Sequence, residues 1–164
     1  MAVLKSLQTK LTESSTKAHN SYRKIHQAPP LTYNKEITKE CQEWANYLAP
    51  AGKMEHSTTK NGENIWYKWA TDLGEVFGKE AVDAWYNEIK DYNFNEPGFK
   101  SETGHFTQLV WKSTTEMGIA YAVHENVAIA VAQYSPAGNI TNPSFFEENV
   151  LPPATSNTGL IAYW

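Results

Sequence analysis

Two histidines and two glutamates are candidates for chemistry, though dispersed along the chain they make a weak motif: His56 in a polar stretch, Glu63 within Gly62-Glu63-Asn64, Glu88 in an aromatic-rich run, and His105 in GHFTQLVW, residues 104–111. Imidazoles accept protons or ligate metals near neutral pH, and carboxylates supply a base or an orienting charge. On a helix starting near His105, the positions three and four residues on are Gln108 and Leu109, so the paired-histidine helix pattern of zinc enzymes is absent. Any partner of His105 must therefore arrive through the fold. Taken singly, each residue also has an ordinary reading: His56 exposed, Glu63 bracing a turn, Glu88 facing water, His105 satisfying backbone at a helix start.

The elements that must position these groups follow from apolar spacing. Leu4, Leu7, Leu11, Ala18, Tyr22 and Ile25 recur at three- and four-residue steps or their multiples, predicting a first helix with one apolar stripe, ending near His26 before Pro29 and Pro30. Asn34 is placed to cap a second helix whose Ile37, Cys41, Ala45 and Leu48 share a face, closed by Pro50 and Gly52. That spacing makes Cys41 a core residue. Residues 53–64 read as irregular and 65–69 as a short strand or packed turn. A third helix is predicted over 75–92 from Ala81, Val82, Trp85 and Ile89, with Glu88 three residues from both Trp85 and Asp91. A carboxylate half-buried beside Trp85 needs a partner. Thr103 is a candidate cap for a short fourth helix beginning at His105. Residues 117–123 and 127–134 read as a β-hairpin, with Val127, Ile129 and Val131 alternating with alanines. Pro136, Gly138 and Pro143 argue against regular structure next. Helices segregated from a small sheet predict an α+β fold or three-layer sandwich, as one domain over 1–153 with an uncharged tail over 154–164.

Composition narrows the partners. A net charge of −4 lacks the overall basic field of a phosphate-neutralising protein, which argues against nucleic acid. The charge is uneven: residues 1–28 carry Lys5, Lys10, Lys17, Arg23 and Lys24 against Glu13 alone. This basic helix reads either as a solvated face or as a surface for anionic lipid, with Lys10, Lys17, Arg23 and Lys24 as the contact set. One cysteine permits no intrachain disulfide, and the opening MAVLKSLQTKLTESS reaches charge too early for a signal peptide, so the expected setting is intracellular. Ala2 stands where N-myristoylation needs glycine, and the sequon Asn139-Ile140-Thr141 is expected to stay unused without secretion.

The stretches HS at 56–57, GEN at 62–64, AWYNEIKDYNF at 84–94, GHFTQLVW at 104–111 and QYSPAGN at 133–139 resemble the CAP superfamily, that of cysteine-rich secretory, antigen 5 and pathogenesis-related proteins. The resemblance runs from about residue 15 to 153. WYNEIKDYNF, EPGF, SPAGN and FFEENVLPP are similar to an intracellular, Golgi-associated branch that lacks the usual disulfides. The resemblance implies a three-layer α-β-α sandwich with a central cleft where His56, Glu63, Glu88 and His105 meet, with Asn64, Gln108 and Tyr134 as neighbours. It also implies homodimers, protein partners, and peripheral membrane association at the Golgi or elsewhere.

Two imidazoles beside carboxylates suit Zn²⁺ with open positions for water, held by His56 and His105, and no organic cofactor is expected. The reading favours a binding module over an enzyme. The alternative is a metal-dependent hydrolase using Glu63 or Glu88 as base; a protease-like site with Ser57 or Ser135 as nucleophile lacks a nucleophile-elbow sequence.

Overall fold

The computed structural model describes residues 2–76 and 78–154; side chains are described from residue 7. Helix α1 spans Ala2–Ile25, strand β1 Thr32–Tyr33, α2 Lys35–Ala51, β2 Gly62–Trp69, and α3 Gly78–Tyr86, which continues into a 3₁₀ turn at Asn87–Asp91. Then come α4 over Gly104–Leu109, β3 over Glu116–His124, β4 over Val127–Ser135 and α5 over Phe145–Asn149. The four strands form one sheet in the order β1-β3-β4-β2. β1 is parallel to β3, and the other two pairings are antiparallel.

The sheet is covered on both faces, giving the α-β-α sandwich. On one face α2 packs Ile37, Cys41, Ala45 and Leu48 against Ile65, Ala120, Ile129 and Val131. On the other, Met117, Ile119, Tyr121, Ala130, Ala132 and Tyr134 meet α1, α3 and α4 through Ala18, Val82, Trp85 and Phe106. β4 sends its Val and Ile side chains toward α2 and its alanines toward the three-helix face, so both faces are buried and the alternation is of size rather than polarity. Gly118 of β3 lies so close to α2 that a Cβ there would run into backbone at Ile37 and Thr38. That contact holds the second layer down.

Helix α2 forms as its sequence directs. Asn34 accepts the Ile37 N–H through its side chain, and Gly52 closes the helix at φ 63°. Pro50, expected as a stop, lies inside the last turn, which runs to Ala51. The expected strand over 65–69 is longer and begins at Gly62, so Glu63 and Asn64 stand on the sheet rather than in a loop. The expected helix over 75–92 is shorter: Glu88 sits on the 3₁₀ turn after α3.

Helix α1 corrects the sequence reading most. Its buried line is Ser15, Ala18, His19, Arg23 and His26, while Leu7 is 52% and Ile25 43% exposed. Leu4 lies outside the described side chains. Leu11, Ala18 and Tyr22 of the expected stripe pack against the core, while the polar residues of the buried line meet backbone carbonyls and tyrosine hydroxyls. Arg23, fully buried, donates to the carbonyls of Pro29, Leu109, Trp111 and Thr114 at 2.9–3.0 Å. Burial pulls its pKa down to about 10, which still leaves it charged at neutral pH. Arg23 therefore joins α1 to the end of α4 and is withdrawn from any lipid surface. Lys10, Lys17 and Lys24 remain exposed.

Ala154 donates its N–H to the Ile25 carbonyl at 2.8 Å. The tail expectation for 155–164 lies outside the described residues.

Candidate functional site

The site is built from two histidine–glutamate pairs of the same design. His56 Nδ1 lies 2.7 Å from Glu63 Oε1, and His105 Nδ1 lies 2.7 Å from Glu88 Oε2. An ionised carboxylate only accepts, so each ring carries its proton on Nδ1, and the neutral ring keeps a lone pair on Nε2. No hydrogen bond to either Nε2 forms among the described residues.

Glu63 is the more enclosed carboxylate, 4% exposed against 66% for its histidine. Besides His56 it accepts the Ser57 N–H at 2.9 Å, the Ser57 hydroxyl at 2.6 Å and the Gln133 amide at 3.0 Å. Burial opposes its charge, but these donors outweigh burial and hold the carboxyl below its ordinary pKa. The same hydrogen bond to Glu63 raises His56, against a smaller opposing effect of burial. Ser57 is thus bonded to a carboxylate rather than to an imidazole, which is not the arrangement of a serine nucleophile.

His105 is gripped on several sides. Glu88 Oε1 accepts the Phe106 N–H at 3.0 Å while Oε2 takes the ring, so one carboxylate fixes both backbone and imidazole. The ring stacks on Trp85 with centroids 6.1 Å apart and planes 17° off parallel. Asn64 Nδ2 donates to the His105 carbonyl at 3.1 Å. Since Asn64 follows Glu63 on β2, consecutive residues of one strand serve the two pairs.

Tyr134 connects to this network from behind. Its hydroxyl lies 3.3 Å from Asn64 Nδ2 and 2.7 Å from His19 Nε2. His19 Nδ1 meets the Ser15 carbonyl at 2.8 Å, which fixes the proton there and makes Nε2 the acceptor of the tyrosine O–H. Gln108, the third expected neighbour, makes no hydrogen bond to either histidine among the described residues. It accepts the Gly138 N–H at 2.9 Å, and a Cβ on either Gly62 or Gly138 would collide with its amide. Nothing local in the sequence marked His19, because a histidine on a helix with lysines reads as surface. The sequence marks Asn139 only as the end of QYSPAGN and the start of a sequon; the structure sets it against α4.

Comparison with known proteins decides the family. The pattern of the cysteine-rich secretory protein family, CAP, matches residues 16–134. The chain belongs to the CAP family. It is 47% identical over 142 residues to the human Golgi-associated plant pathogenesis-related protein 1, covering 84% of this chain and 90% of that one. It is 36% identical over 151 residues to the Candida albicans protein named Repressed by EFG1 protein 1, covering 86% of this chain and 54% of that protein; the CAP chain thus spans about half of this relative's length. Among solved structures, BmVAL-1 superposes with a TM-score of 0.69 at 18% identity, covering 92% of this chain and 86% of that one. NaASP2, solved with Zn²⁺, gives 0.69 at 22% identity, covering 90% and 88%. At these identities the structures speak for the fold.

Among the described residues, no group of three or more His, Cys, Asp or Glu side chains is arranged to hold a metal ion. The structure gives two separate histidine–glutamate pairs, linked through Asn64 of β2. No described helix is long and apolar enough to cross a membrane.

Proposed function

We propose that this CAP domain is a binding module that attaches to anionic membrane surfaces through the outer face of α1. The supporting observation is the spacing of Lys10, Lys17 and Lys24. They are exposed, seven residues apart, and so lie on one line along the helix about 20 Å long. With Arg23 turned inward, this line replaces the four-residue contact set expected from composition. Each lysine close to an anionic surface contributes about 1 kcal/mol, weakened by salt. The similarity to a human protein named for the Golgi favours that membrane, and association with protein partners or a second copy would use other faces. The test is charge reversal. The triple variant Lys10→Glu, Lys17→Glu, Lys24→Glu is expected to lose at least tenfold in affinity for vesicles containing phosphatidylserine, with unchanged thermal unfolding; undiminished binding removes this face from the account.

A second reading is favoured by the histidine–glutamate pairs. Carboxylates on Nδ1 are the outer-sphere arrangement that orients metal-ligating imidazoles, and both Nε2 lone pairs are available. With His56 and His105 as its ligands, a divalent ion such as Zn²⁺ would keep several water positions, a weak site rather than a structural one. Zinc, when bound, supplies an acidified water. Both oxygens of Glu63 and of Glu88 already accept hydrogen bonds, so these carboxylates serve as orienting groups; this favours binding over the hydrolase alternative in which either would be the base. Calorimetric titration is expected to give one zinc per chain and none in the double variant His56→Ala, His105→Ala. Equal binding by that variant would move the metal elsewhere.

A further inference from the structure

We infer that Asn139 is a positioning residue for the His105 imidazole, acting through the first turn of α4. For its purpose this rests on the metal reading; the geometry stands without it. Helix α4 has six residues, too few to hold its own shape, and its N-cap residue Thr103 makes no side-chain capping bond. Its first turn is therefore fixed from outside. Asn139 Nδ2 donates to the Gly104 carbonyl at 3.0 Å, and its Oδ1 accepts the Thr107 hydroxyl at 2.6 Å. These two contacts flank His105 in the chain. Glu88 holds the ring and the Phe106 N–H, Asn64 holds the His105 carbonyl, and Asn139 supplies the remaining grip, preventing the turn from rotating away from Glu88.

The residue type follows from the backbone. Position 139 has φ 56°, a left-handed conformation that asparagine tolerates better than most side chains, and asparagine alone combines that tolerance with one donor and one acceptor on a short stem. The loop carrying it is held in place next door, where Gly138 donates to Gln108. The side-chain amide of the 139–141 sequon is thereby engaged with α4. The role of this asparagine is thus inward.

The test separates backbone from side chain. Asn139→Gly accepts the left-handed φ and deletes both bonds. In metal-free protein, imidazole ¹H–¹⁵N spectra are expected to show His105 as a single Nδ1–H tautomer in the parent and as an averaged ring in Asn139→Gly. Zinc affinity is expected to fall about tenfold, the scale of outer-sphere substitutions. Ile129→Val, on the opposite face of the sheet, lowers the melting temperature but should change neither signal, which removes general destabilisation as the cause. Thr107→Val deletes the hydroxyl's bonds to Asn139 and to the Gly104 carbonyl but keeps the bond from Asn139 to Gly104, and should shift His105 in the same direction by less, providing a second route if the glycine variant does not fold. A His105 spectrum unchanged in folded Asn139→Gly or Thr107→Val would overturn the assignment. Failure of the parent to bind zinc would sink the metal reading alone, and the spectra would still decide the role of Asn139.

Discussion

Replacing Arg23 by methionine is expected to lower the unfolding free energy by about 4 kcal/mol, enough to unfold a marginal domain. The substitution keeps the aliphatic stem but takes the guanidinium from the carbonyls of Pro29, Leu109, Trp111 and Thr114, of which Leu109 and Thr114 meet it in the interior. Lysine is no remedy: it retains the charge, but its donors diverge from one nitrogen and cannot match a planar fork spread over four acceptors, so Arg23→Lys should lose about 2 kcal/mol or more. Lys17→Met and Lys24→Met, on the same helix, should stay within about 0.5 kcal/mol of the parent. Denaturant unfolding of the four variants is the check. Equal effects of Arg23→Met and Lys17→Met would mean that Arg23 is a surface residue after all.

Acid should unfold the protein through His19. This ring is fully enclosed, and burial, with a smaller contribution from Arg23 and against the Ser15 hydrogen bond, depresses its pKa to about 4 from the ordinary 6.5. The unfolded chain therefore takes up a proton between pH 6.5 and 4 that the native state refuses. Stability rises with pH wherever the unfolded state binds more protons, so the contribution is present above pH 6.5 and is lost as pH falls toward 4. A shift of this size corresponds to about 3 kcal/mol. His26, depressed chiefly by burial against a bond to the Leu151 carbonyl, adds to the same slope. The ion pair of His56 and Glu63 is the counterpart: a raised His and a lowered Glu keep it intact through that window, and exposure of the imidazole limits its effect on stability. His19→Gln preserves a donor and an acceptor and should flatten most of the slope in unfolding measured from pH 7 to pH 4. An undiminished slope would transfer the acid response to another group.

The contrast between α2 and α1 explains what the sequence discloses. In α2, Asn34 capped a helix whose buried residues are aliphatic, so cap and face were both legible. The hairpin was legible for a related reason, with bulky residues of β4 alternating against alanines under two different layers. In α1 the buried line contains Ser15, His19, Arg23 and His26, each bonded to a group far away in the chain, and polarity hides such burial from any periodicity argument. β1, two residues long, carries too little pattern to register. Within the candidate site, the four His and Glu positions came from family resemblance; spacing alone left them open. The pairing of each histidine with its own glutamate, and the inward roles of His19 and Asn139, depend on chain crossings that only the fold supplies.

Co-sedimentation of the parent protein with vesicles examines the outer face of α1 without any substitution. Phosphatidylserine-containing and purely phosphatidylcholine vesicles would be compared at low and physiological salt. Binding to the anionic vesicles alone is expected, reduced as salt rises toward the physiological level. Equal binding to neutral vesicles, or none to either at low salt, would contradict it.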